Sequence, residues 1–137
     1  MRRHGRRRGL LLGENSAGQV GDGTTEDRPV PTQIFSIHLN TGRITRLTSS
    51  PTVKNDADWS PDGRRIVFTE LIPEIVGQPA QAVLKIRDPA QGREKILVGG
   101  NIRCSSPRWS PDGKTIAFLV REPSVFRNDA LAVISAG

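Results

Sequence analysis

WSPDGRRIVF, Trp59 to Phe68, returns fifty residues later as WSPDGKTIAF, Trp109 to Phe118, with seven of the ten positions identical. A duplication at fixed spacing marks a repeat architecture, in which each unit buries an apolar face against its neighbour. Within the motif, Pro61 and Pro111 fix φ at the start of a tight turn. Asp62 and Asp112 offer short acceptors to nearby backbone N–H groups, and Gly63 and Gly113 tolerate positive φ. The runs that follow, RIVFTEL and TIAFLV, are β-branched and aromatic, as strands are. NDADW and SSPRW lead in as short strands, which puts Trp59 and Trp109 at strand ends, between packed layers. Trp59, Ser60, Pro61, Asp62 and Gly63, with Trp109, Ser110, Pro111, Asp112 and Gly113, are therefore the residues expected to define the repeat.

A second segment obeys the same offset. IFSIHLNTGRITRLT, Ile34 to Thr48, and VLKIRDPAQGREKILV, Val83 to Val98, each place β-forming residues around a turn, and Gly42 with Gly92 and Leu47 with Leu97 lie fifty apart. ALAVISAG, Ala130 to Gly137, matches the first arm of a third such hairpin. With the tryptophan strand labelled a, the order is c-d, then a-b-c-d from about Asn55 to Val98, then a-b-c. The expected fold class is all-β: a partial β-propeller of about two four-stranded antiparallel blades. The b-to-c connections, Ile72 to Gln81 and Arg121 to Asn128, are the loops on such a frame that would carry binding residues.

The WSPDG turn with its following strand, preceded by a hairpin ending in Arg46-Leu47-Thr48, resembles the WD40-like PD40 repeat of the TolB-like β-propellers over about residues 34–137. The resemblance implies blades that act as a protein-interaction platform. Propellers close with 4 to 8 blades, and this chain carries about two. Residues 13–33, GENSAGQVGDGTTEDRPVPTQ, resemble half of an RCC1-type repeat through Gly13, Asn15, Gly18, Gln19, Gly21, Gly23, Thr24, Pro29 and Pro31, with Leu12 where that repeat usually has tryptophan. They also read as a glycine-rich loop entering the first strand. The glycine spacing does not suit a dinucleotide loop, nor Asp22, Glu26 and Asp27 a calcium loop.

The net charge of +6 is concentrated at the start of the chain. Arg2, Arg3, Arg6, Arg7 and Arg8 account for five of twenty basic residues, leaving fifteen against fourteen acidic ones. A basic arm can bind phosphates or anionic lipid by counterion release, but this one has no aromatic residues to stack on bases. Residues 1–12 are expected as a basic disordered tail, with no nucleic-acid partner. Leu10, Leu11 and Leu12 form too short an apolar run for a signal peptide, and nowhere is there a span for a membrane, so a cytoplasmic chain is expected, although TolB relatives are periplasmic.

Catalytic residues, cofactors and metals are not expected. Asp62 and Asp112 could divide acid and base work, but their shared turn context gives them a structural role. There is no Gly-x-Ser-x-Gly elbow, and His4 and His38 stand in no base-like context. Cys104, between Arg103 and Arg108, reads either as a thiol of lowered pKa or as a small core residue, and alone it forms no internal disulfide or zinc site. The expected function is a non-catalytic interaction scaffold that binds a protein partner or self-associates to complete a propeller. The alternative is the propeller part of a prolyl oligopeptidase-like peptidase, without its catalytic domain. In a third reading the arginine arm tethers the blades to an acidic surface.

Overall fold

The computed structural model describes residues 8–14, 32–121 and 129–137. The chain divides into two compact units, Met1–Lys54 and Asn55–Gly137. In the first, β1 (Arg8–Glu14), β2 (Thr32–His38) and β3 (Ile44–Arg46) form an antiparallel sheet in the order β1-β2-β3. Residues 8–12, expected in a disordered tail, are instead drawn into β1, which pairs along its whole length from Arg8↔His38 to Glu14↔Thr32. The physical reason is the edge of β2. Its backbone groups need partners, and the leucine run supplies a segment able to extend beside it. The rest of the tail, and residues 15–31 of the RCC1-like stretch, lie outside the described residues.

The β2–β3 hairpin turns where the sequence places it, with Gly42 at φ 70 and its N–H donated to the His38 carbonyl at 2.8 Å. Below it the first unit buries a polar chain with its partners in place. Thr48 Oγ1 accepts from Ile34 N and donates to Gln33 Oε1, both at 2.9 Å, and Gln33 Nε2 donates to Ser50 O. Lys54, 1% exposed, donates to the carbonyls of Ser50 and Thr52. A buried ammonium is tolerable only with such acceptors around it.

The second unit contains β4 (Val53–Trp59, from Asn55 onward), β5 (Ile66–Ile72), β6 (Gln81–Asp88), β7 (Arg93–Val98), β8 (Arg103–Trp109), β9 (Thr115–Arg121) and β10 (Ala130–Ser135). The ladder runs β10-β9-β8-β6-β5-β4, with β7 on β6. A single parallel pair, Ala82↔Arg103, joins β6 to β8. The ladder is thus two antiparallel meanders, β4-β5-β6-β7 and β8-β9-β10, which match the a-b-c-d and a-b-c strands read from the sequence.

Alternation along β5 and β6 sends Val67, Leu84 and Ile86 to one side, where Cys104, Trp109, Ile116, Phe118 and Ala136 of the second meander cover them. Each large apolar side chain buried in this layer contributes about 1.5–3 kcal/mol. Ile66 and Phe68, on the opposite side of β5, are also fully buried. On β9 the pattern is one-sided: Ile116 and Phe118 are buried, while Ala117 and Leu119 remain half-exposed.

Candidate functional site

The two WSPDG turns superimpose bond for bond. Ser60 Oγ donates to Asp62 Oδ1 at 2.6 Å and accepts from Arg65 N at 2.9 Å. Asp62 Oδ1 also accepts from Arg64 N, and Ser60 N and O bond Arg65 O and Gly63 N. Fifty residues on, Ser110, Asp112, Lys114, Thr115 and Gly113 repeat every one of these bonds. Gly63 and Gly113 stand at φ 68 and 70, so the left-handed position assigned to glycine is occupied by it. The serine hydroxyl and then the next backbone N–H hold both aspartates below the usual carboxylate range. Carboxylates so engaged are acceptors closing a turn, and neither is poised to take up a proton near neutrality.

Three residues that sequence reading did not single out join the meanders. Asp58 Oδ2, on β4, accepts from Trp109 N at 2.9 Å, and Asp56 Oδ2 accepts from Ser106 N at 3.2 Å. Arg65 lays its guanidinium over the Trp109 ring, 4.9 Å from the centroid, and donates Nη1 to Ala136 O at 3.0 Å. The signal available was disagreement between repeats: Asp56, Asp58 and Arg65 stand opposite Ser106, Arg108 and Thr115. Trp109 is buried at 9% exposure within the core between the meanders, whereas Trp59 is only half-buried.

Cys104 lies in the core, 3% exposed, and desolvation pushes its thiol up to about 11. The lowered-pKa reading is therefore overturned: burial raises the thiol more than its hydrogen bond with the Leu84 backbone lowers it. His38 sits in the first hairpin turn, its Nδ1 at 3.2 Å from Thr41 Oγ1. Among the described residues no group of three His, Cys, Asp or Glu side chains could hold a metal, and no helix is long and apolar enough to cross a membrane.

The first b-to-c loop carries a small hairpin at its tip. Ile75 and Gln78 exchange backbone bonds of 3.2 and 2.8 Å, and Gly77 at φ 84 closes the tip. That small hairpin presents Ile75 at 59% exposure and Val76 fully to solvent. Residues 122–128 of the second such loop lie outside the described residues.

A scan of family models finds none that matches the chain, and no curated protein matches it. Solved structures do resemble it. A putative TolB from Agrobacterium tumefaciens superimposes with a TM-score of 0.62 at 22% identity, over 77% of this chain and 38% of its own. TolB from Acinetobacter baumannii gives 0.58 at 17% identity, over 76% and 24%. The tricorn protease gives 0.58 at 17% identity, over 75% and 11%. The chain thus spans well under half of each, and the likeness establishes the fold: a partial β-propeller of the TolB-like kind.

Proposed function

We propose that this chain is a non-catalytic interaction scaffold, with the blade frame holding the Ile72–Gln81 loop against a protein partner. The observation that carries the reading is Ile75 and Val76, two adjacent apolar side chains exposed at a braced tip. Exposing them costs solvation, and the internal hairpin reduces the entropy lost when a partner covers them. A photoreactive amino acid placed at position 76 tests this. Crosslinks to another protein, lost when Ile75→Ser is added and absent when the probe is moved to position 95, are the expected result. Crosslinks that ignore Ile75→Ser, or none at all, would sink the reading.

The likeness to the tricorn protease supports a second reading, in which these blades belong to the propeller of a peptidase and restrict access to a catalytic domain. Peptide hydrolysis by the natural polypeptide carrying this segment, reduced in size selectivity when the Ile72–Gln81 loop is shortened, would favour it. A polypeptide inert toward peptides would remove it.

A further inference from the structure

We infer that Asp62–Gly63 and Asp112–Gly113 are a pair of modification sites, each converting to an isoaspartyl linkage when its WSPDG turn opens and withheld from that reaction while the turn is bonded. The inference is independent of the scaffold reading. It starts from the covalent chemistry of an Asp–Gly pair, in which no side chain on the glycine shields its backbone nitrogen. That nitrogen attacks the aspartate Cγ. The N–Cγ bond forms, the carboxyl hydroxyl leaves with the amide proton as water, and a succinimide ring results. Water then opens the ring at one of its two carbonyls. Opening at the side-chain carbonyl regenerates aspartate; opening at the main-chain carbonyl leaves the chain running through Cγ, as isoaspartate. One water is lost and one regained, so the step needs no other reactant.

Both aspartates are exposed and both glycines only half-buried, so water reaches the sites and burial is not what protects them. Bonding does. The attacking nitrogens are engaged: Gly63 N donates to Ser60 O at 2.8 Å and Gly113 N to Ser110 O at 2.9 Å. The carboxyls are engaged as well. Asp62 Oδ1 accepts from Ser60 Oγ and Arg64 N, and Asp112 Oδ1 from Ser110 Oγ and Lys114 N. A carboxylate has no hydroxyl to lose, and these same bonds favour the ionised form. Ring closure needs the glycine nitrogen freed from the serine carbonyl and the carboxyl swung onto it, so it begins with local opening of the turn.

In each turn the serine is the latch. Ser60 is buried, and besides its bonds to Asp62 and Gly63 its Oγ accepts from Arg65 N, as Ser110 Oγ accepts from Thr115 N. Conversion would undo the turn for good. It inserts the aspartate Cβ into the backbone and leaves the free carboxylate on Cα, so the acceptor that Ser60 Oγ and Arg64 N share is lost. The two turns also stand side by side: a Cβ on Gly113 would meet Pro61 Cδ at 3.7 Å, an ordinary contact. Isoaspartate at either position is therefore a lasting record that its turn has opened.

The test is a time course of the full chain in mildly acidic buffer at physiological temperature. Isoaspartate is read site by site by peptide mapping with electron-transfer fragmentation, which also keeps both sites apart from Asp22–Gly23, the chain's third Asp–Gly pair. In native wild type both sites should convert at least about tenfold more slowly than in the same chain unfolded by urea. Ser60→Ala removes a hydroxyl that makes two hydrogen bonds, one of them to a carboxylate. It should speed conversion at Asp62 by at least about tenfold and leave Asp112 near its wild-type rate. Ser110→Ala should do the reverse, with circular dichroism confirming that each variant is folded. A native wild type that converts as fast as the unfolded chain would overturn the inference, and that comparison decides it even where a serine variant fails to fold. Folded serine variants that leave their own aspartate at the wild-type rate, or raise both sites equally, would overturn it too.

Discussion

Arg65 shows how one side chain can hold two blades. It stands just before β5, after the first WSPDG turn, yet its guanidinium stacks on Trp109 and bonds Ala136 O, seventy-one residues away. Stacking of a half-buried guanidinium and one charged hydrogen bond together predict that Arg65→Ala costs about 1–3 kcal/mol. Arg64→Ala, at an exposed position, should stay within about 0.5 kcal/mol; urea midpoints at fixed slope compare the two. Arg65→Lys should recover little, since an ammonium has no planar face to lay on the indole. Asp62 calls for a pH experiment. Its folded pKa is depressed by the Ser60 hydroxyl and then the Arg64 N–H, so its contribution is complete above the ordinary aspartate value of 3.8 and is lost as pH falls through the lower folded value. Asp62→Asn should therefore be less stable than wild type at neutral pH, with the two curves converging in acid. Parallel curves down to pH 2 would mean the charge plays no part.

At the scale of elements, β4 and β8 share a feature that composition conceals. Asp56 and Ser106 have φ of 50 and 52, left-handed values at non-glycine residues fifty apart, and at Ser106 the β8–β9 register shifts between Ser105 and Arg108. The bulge re-aims the strand so that Ser106 N reaches Asp56. Serine in this region costs on the order of 1 kcal/mol or more. Ser106→Gly should accordingly be neutral to stabilising by up to about 1 kcal/mol, while Gly113→Ala, at φ 70, should destabilise by about 1–2 kcal/mol. Thermal melts of the two variants decide it, and a destabilised Ser106→Gly would refute the strain argument.

The same comparison explains what was legible. Strand order and the WSPDG turns could be read because identical residues at identical spacing impose identical local geometry, and the c-d hairpins because β-forming residues flank a glycine turn at the same offset, Gly42 and Gly92. Asp56, Asp58 and Arg65 could not, because they act between blades, where partners are set by packing and the repeats diverge. Strand β1 was hidden for a related reason: five arginines marked its start as a tail, and only the free edge of β2 makes pairing there favourable.

For the whole molecule, the core between the two meanders carries its own reporter. Cys104 is buried beside Trp109, Ile116 and Phe118, and its thiol, at about 11, is almost wholly protonated at pH 8. A neutral, solvent-shielded thiol reacts only when the layer opens, so its labelling rate measures that opening. Ile116→Ala removes a fully buried side chain from the same layer and should cost about 2–5 kcal/mol. With reclosing faster than labelling, the opening population, and hence the rate, should rise at least about twentyfold. Thr48→Val, in the buried network of the first unit, gives the contrast. If the two units open separately, it should leave the Cys104 rate unchanged while lowering overall stability. A Cys104 rate that rises equally in both variants would mean instead that the two units open as one cooperative body.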